Sequence, residues 1–219
     1  MASGSEPSAG QSGDSNPRAG PDPRFADAVE RTVVLVFYGW LVARIVLKGE
    51  IGFGWIQIVA EGMVFVFTMF RRPARTISRR PFDWVLALGA TASPMLATGG
   101  MGEHHGPASV AIVLLLLGVF TQIAAKFWLG TRFGLVAAVR GVVTGGPYRY
   151  VRHPIYLGYL LTHIAISMMN PDPVNLAVYA LAWSLQVPRV LAEERVLRAD
   201  AGYAAYMQTV RWRLIQGIW

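Results

Sequence analysis

An all-α, polytopic transmembrane helical bundle of five or six spanning segments is the fold class this sequence predicts, and three observations predict it. Of the 219 residues, 53% are hydrophobic and 15% charged, whereas a soluble domain carries about a quarter charged residues. The apolar residues fall in runs close to the length of about 20 residues that crosses a bilayer as a helix. Lys and Arg are gathered in blocks between those runs, as in the cytoplasmic loops of a membrane protein. That blocking turns the formal charge of +7 away from nucleic acid and towards membrane topology and lipid headgroups.

The elements follow in order. Residues 1–24 are mostly Ser, Gly, Pro and Ala, a composition that cannot bury enough surface to offset ordering entropy, so a disordered leader is expected. It has no apolar core of the kind a cleaved signal peptide carries. Val33–Leu47 and Ile51–Phe70 are the first two helices, the first extended back through Phe25–Thr32, with a turn from Lys48 to Gly52. Residues 71–80, with five arginines and no acid, read as a cytoplasmic loop that sets topology and touches lipid headgroups. Phe82–Thr98 is the third apolar run; residues 99–108 lack Lys and Arg and suit the opposite face; Ala108–Trp128 is the fourth.

Pro154–Met169 and Val174–Val187 form a helical hairpin around the breaker Asn170-Pro171-Asp172-Pro173, and a polar helical tail is expected to run on to Trp219. Three Lys and Arg residues precede the first helix, five lie in 71–80, five in 126–152 and five from 189 onward, eighteen of the twenty. Six crossings with both termini in the cytoplasm satisfy the positive-inside rule. On this reading residues 25–125 are the N-terminal transmembrane helices and 126–219 a distinct C-terminal half.

Chemistry concentrates in residues 140–156, RGVVTGGPYRYVRHPIY. The glycines and Pro147 break regular structure, and Pro154 suits the first position of the helix that follows, where its missing amide proton is no loss. His153 then stands at a helix N-terminus, whose free amides and dipole favour an anion, with Arg149 and Arg152 adding positive charge. Arg189 and Glu193 are four residues apart and share a helix face, with Glu194 beside them. The hairpin brings these ends together, so His153 and Arg152 are expected to face Glu193 across one small space. A site of both signs suits a zwitterion such as the amino-acid end of S-adenosylmethionine, although structural ion pairs would look the same. Glu61, inside the second run, is a functional candidate as an intramembrane carboxylate, or simply bonds a neighbouring helix or Arg44. There is no cysteine, hence no disulfide framework, thiol nucleophile or cysteine metal site. His104 and His105 read as a surface pair more readily than as metal ligands.

In this order and spacing, Gly146-Pro147-Tyr148, Arg152-His153-Pro154-Ile155-Tyr156-Leu157-Gly158, Glu193-Glu194, Gly202-Tyr203 and Tyr206 resemble the signature of the isoprenylcysteine carboxyl methyltransferase family and its bacterial relatives, which also resemble phospholipid methyltransferases. The likeness covers residues 126–213. It implies a bacterial cytoplasmic-membrane enzyme that uses S-adenosylmethionine at the cytoplasmic face on a hydrophobic or lipid-like acceptor. It further implies that Arg140, Gly141, Val142 and Val143 enclose the cofactor, that Tyr148 contacts it, and that Arg152, His153, Pro154, Ile155 and Tyr156 line the same pocket. Glu193, with Glu194 beside it, would bind the cofactor; Arg189 would face the acceptor, whose remainder meets the N-terminal helices and Glu61. Two other readings remain open: an NADPH-dependent reductase of sterol-like substrates, whose motif has a similar Arg-His-x-x-Tyr-x-Gly shape, and a non-enzymatic membrane protein.

Overall fold

The structure, a computed structural model, describes residues 23–48, 51–97 and 108–219, with the side chains of 23, 48, 51–57 and 60 undescribed. Most of the leader, Gly49 and Glu50 of the turn from Lys48 to Gly52, and the pair His104-His105 lie outside the described residues. Among the described residues seven helices make up the bundle: α1 (Pro23–Lys48), α2 (Ile51–Met69), α3 (Pro81–Ala92), α4 (Ala108–Leu129), α5 (Pro154–Met169), α6 (Pro173–Leu197) and α7 (Ala201–Thr209). Two short strands, β1 (Thr76–Ile77) and β2 (Ala138–Val139), pair antiparallel and tie the arginine-rich loop to the loop before α5.

Local chemistry sets the boundaries. Proline opens α3, α5 and α6, each at a position that has no amide to satisfy. Asp172 caps α6 by accepting from the amides of Val174 and Asn175, at 2.8 and 3.2 Å, and Asp200 caps α7 through Gly202 and Tyr203. The third apolar run ends earlier as an α-helix than its hydropathy suggests, passing at Ser93 into a 3₁₀ turn over Ser93–Leu96 that contains Pro94. Arg44 closes that end of the molecule by donating to the carbonyls of Met95 and Ala97, at 2.7 and 2.8 Å.

The closest helix pairing is that of α4 with α5. At their crossing a Cβ on Gly118 would stand 2.8 Å from the Gly158 carbonyl oxygen, and one on Gly158 would stand 2.8 Å from that of Gly118. Only glycine permits this approach, and Gln122 donates to Thr162 beside it at 3.3 Å, a combination suited to helices that meet in lipid.

Polarity is distributed inside out. Lys126, Glu30, Glu194 and Asn175 are among the most deeply buried side chains, while Phe120 and Phe127 on α4 are 71% and 69% exposed. Residues Ala108–Arg132 form a helical stretch long and apolar enough to cross a membrane.

Lys126, within the fourth apolar run and counted with the cytoplasmic residues 126–152, lies in the last turn of α4, wholly buried, with its ammonium 2.8 Å from Glu61. Of the structural partners open to Glu61, it takes the neighbouring helix and not Arg44. One expectation is corrected: Arg71 makes no headgroup contact, being buried against Asp27 and Glu30 at 2.7 and 2.8 Å.

Candidate functional site

The loop over residues 130–153 is shaped by close contacts before it is shaped by charge. Gly146 has φ +58°, and a Cβ there would stand 2.5 Å from the Trp128 indole, so both its conformation and its space require glycine. A 3₁₀ turn over Gly146–Arg149 follows and buries Tyr148. Tyr206 on α7 donates to the Tyr148 carbonyl at 2.6 Å and so fastens the turn to the tail.

Past Thr209 the tail leaves the helix, contrary to the helical continuation expected to Trp219. Its backbone serves the loop instead: the amides of Arg152 and His153 donate to the carbonyls of Trp212 and Arg213, both at 2.9 Å. Arg152 adds two bonds from its guanidinium to the carbonyls of Val210 and Arg211.

His153 is the residue before α5, as its place before Pro154 implies, but its acidic partner is Glu194 and not Glu193. Glu194 takes Arg152 at 2.8 Å and His153 at 3.3 Å on one oxygen, and Arg213 at 3.0 Å and Arg198 at 3.4 Å on the other. It lies in the polar last turns of α6, beyond the apolar stretch 174–187. Burial alone would raise its pKa, but the bonds and charges of His153 and Arg152 outweigh burial and hold it down at about 2. Glu194 is a structural hub that joins loop, helix and tail.

Glu193, one residue earlier, faces a cavity of about 500 Å³ and accepts from the Tyr156 hydroxyl at 2.7 Å. At this end the cavity is lined by Val142, Tyr148, His153, Tyr203 and Tyr206 as well. Burial raises the Tyr148, Tyr203 and Tyr206 phenols, so at neutral pH they remain protonated donors. The Tyr203 hydroxyl is buried with no hydrogen-bond partner, an orphan donor beside a carboxylate at the cavity wall.

Arg189 reaches the cavity from α6 one turn below Glu193. Its guanidinium donates to the Thr91 hydroxyl at 3.2 Å and the Leu135 carbonyl at 2.8 Å, and lies 5.5 Å from the Tyr156 ring centre. Among the described residues no carboxylate lies within salt-bridge distance of it. From there the cavity runs on past Glu61 and Tyr159 to Arg44, Met95 and Asn170 at the other ends of the helices.

Most of the residues singled out in the sequence converge on this space. Gly141, Val142, Val143, Tyr148, Arg152, His153, Ile155, Tyr156, Arg189, Glu193 and Glu61 all line it. Pro154 is buried behind it at the start of α5. Arg140 also reaches its wall, but the guanidinium is engaged by Asp27 at 3.2 Å and Glu30 at 2.9 Å. Sequence reasoning missed Thr91 and Leu135, which aim Arg189, and the wall position of Tyr203. For Tyr203 the Asp200 cap was a usable signal, since it starts a helix whose first turn must face the loop.

Residues 107–200 match the family model described as phospholipid methyltransferase. The chain is similar to protein-S-isoprenylcysteine O-methyltransferase A of Arabidopsis thaliana, 27% identical over 119 residues, which is 51% of this chain and 60% of that protein. The corresponding protein of Tribolium castaneum is 29% identical over 119 residues, 51% of this chain and 42% of its own length. The cobalt-zinc-cadmium resistance protein CzcN of Cupriavidus metallidurans is 30% identical over 113 residues, 52% of this chain and 45% of its own. The chain thus spans about half the length of the curated relatives it matches. These matches and the motif make the C-terminal half of the chain similar to phospholipid and isoprenylcysteine methyltransferases.

Proposed function

We propose that this chain is an integral membrane S-adenosylmethionine-dependent methyltransferase that acts on a hydrophobic or lipid-like acceptor at a carboxylate. The observation that supports it best is one cavity with two unlike polar stations, the Glu193 end beside the tyrosines and the unpaired Arg189 deeper in. Six crossings are the topology that goes with this reading, with both termini and the site on the cytoplasmic side of a bacterial inner membrane.

The residues present fit the cofactor. Glu193 has one oxygen held by Tyr156 and the other open to an ammonium group. The orphan Tyr203 hydroxyl offers a donor. The Glu194 hub sets three arginines against one carboxylate, and that excess of positive charge suits the cofactor's own carboxylate.

Bound there, S-adenosylmethionine would supply a methyl group on a sulfonium, whose leaving group departs neutral. The chain's task is then orientation and desolvation. Arg189, aimed by Thr91 and Leu135, would hold the acceptor carboxylate through its guanidinium, and the buried wall would exclude water, so that the attacking oxygen sits about 3 Å from the methyl carbon. A carboxylate acceptor needs no base. An amine or hydroxyl would need a proton acceptor, and Glu193 and Glu61 are the carboxylates on the cavity wall. Relatives with names as different as the methyltransferases and the metal-resistance protein share this half, so acceptor choice is ascribed to residues 25–125.

Isothermal titration in detergent tests the reading. S-adenosylhomocysteine is expected to bind, and Arg189→Ala to retain that binding while losing turnover of an acidic acceptor. Binding of NADPH in its place would favour the reductase, and binding of neither would leave a non-enzymatic protein. Mass spectrometry of membrane lipids with and without the protein, read for the gain of one methyl group, would identify the acceptor.

A further inference from the structure

His153, the cap of α5, and Tyr156, Tyr159 and His163 within it stand at spacings of three, three and four residues, which places them on one helix face. All four line the cavity, and successive ring centres are 5.6, 6.3 and 6.3 Å apart. A slot for plain hydrocarbon needs no such polar stripe, and an imidazole within the bilayer is costly unless it has a partner.

The deepest of the four, His163, has its protonation state set by a neighbour. Trp183 Nε1 lies 3.2 Å from His163 Nδ1. An indole N–H only donates, so Nδ1 must accept; an imidazolium has no acceptor, and the ring is therefore the neutral form with its proton on Nε2. Tyr179 and Tyr159 hold the ring from the sides, at 4.6 and 6.3 Å between centres. Among the described residues Nε2 has no hydrogen-bond partner.

We propose that His163 is a specificity residue of the acceptor channel, whose Nε2–H donates to an oxygen carried partway along the acceptor's apolar chain. The inference rests on the reading in which Arg189 holds the acceptor carboxylate. Arg189 lies against Tyr156, and His163 is seven residues further along α5, about 10 Å at 1.5 Å per residue. The acceptor class is therefore an elongated acid with a ketone, ester or ether oxygen about 10 Å from its carboxylate, a distance that eight or so chain carbons span.

Octadecanoic acid and 10-oxooctadecanoic acid are suitable probes, titrated into the full chain in detergent with S-adenosylhomocysteine at saturation. The oxo acid is expected to bind about tenfold more tightly, the worth of one added hydrogen bond, and His163→Phe is expected to bring the two acids to equal affinity. Imidazole ¹⁵N resonances of the unsubstituted protein give a second measurement that does not depend on the variant's folding. Nε2 should be the protonated nitrogen and should shift with the oxo acid but not with the plain one. Equal affinity in the unsubstituted protein, a preference that survives His163→Phe, or a proton on Nδ1 overturns the inference alone. Failure of the unsubstituted protein to bind either acid overturns the Arg189 reading and the inference with it.

Discussion

Two buried charge clusters tie the loop before α5 to the rest of the bundle, and they differ in balance. In the first, Asp27 and Glu30 of α1 meet Arg71 and Arg140, with Arg31 at the rim on Asp27, two acids against three arginines. Glu30 is fully satisfied: one oxygen accepts from the amides of Leu135 and Val136, and the other takes both guanidinium groups. In the second, Glu194 alone answers Arg152, Arg198, Arg213 and His153. With two acids the first cluster is the nearer to balance and holds structure. The second, with one acid for three arginines and His153, leaves the larger positive field beside the cavity, and that difference separates scaffold from site.

The sharpest way to break this comparison is Glu30→Gln. It would strip two buried guanidinium groups of their main counter-charge, and burial already draws Arg71 below its ordinary range. The expected loss is about 3–5 kcal/mol, the usual cost of leaving buried charge uncompensated. Thermal unfolding in detergent would register it, together with the loss of S-adenosylhomocysteine binding as the loop comes free of α1. An unchanged melting temperature would deny the first cluster its structural role.

Glu194→Gln should cost less, about 2–3 kcal/mol, because the Arg198 and Arg213 side chains are already 53% and 23% exposed and can return to water. Its pH dependence gives a finer test. The Glu194 carboxyl sits at about 2 in the folded protein against an ordinary 4.5, so the unfolded chain takes up its proton first as pH falls. The stability it adds is whole above 4.5 and disappears as pH falls through about 2. The gap in stability between the unsubstituted protein and Glu194→Gln should accordingly be constant from neutral pH to 5 and narrow below it. A gap that widens on acidification would mean that Glu194 is not the ionised centre of its cluster.

What the sequence discloses and what it hides divide along the same line. Pro154 and the Asn170–Pro173 breaker bound α5 and the hairpin by local chemistry, so those limits and the position of His153 are legible without coordinates. The Asp27, Glu30, Arg71 and Arg140 cluster is not legible, since its members come from three segments more than forty residues apart in sequence and nothing local marks them as partners. Lys126 is legible as a residue of the fourth helix, but its inward turn to Glu61 is not. Adjacent acids pose the hardest case. Successive helix positions differ by about 100° in direction, and the rotation of α6 that gives Glu194 to His153 and Glu193 to the cavity is decided by packing alone.

That last division yields the smallest effect on stability and the most direct test of function. Among the described residues Glu193 has one side-chain hydrogen-bond partner, the Tyr156 hydroxyl, and it faces the cavity, so Glu193→Gln leaves no buried charge unpaired there and should change stability by about 0.5 kcal/mol or less. If the carboxylate meets the cofactor's ammonium group, the same change should weaken S-adenosylhomocysteine binding by about 1.5–3 kcal/mol, the worth of a charge-assisted hydrogen bond. Tyr156→Phe, which only releases the carboxylate from its tether, should weaken it by less. Equal stability losses at Glu193 and Glu194, with cofactor affinity intact in Glu193→Gln, would place both acids in the scaffold and leave the cavity without its anionic station.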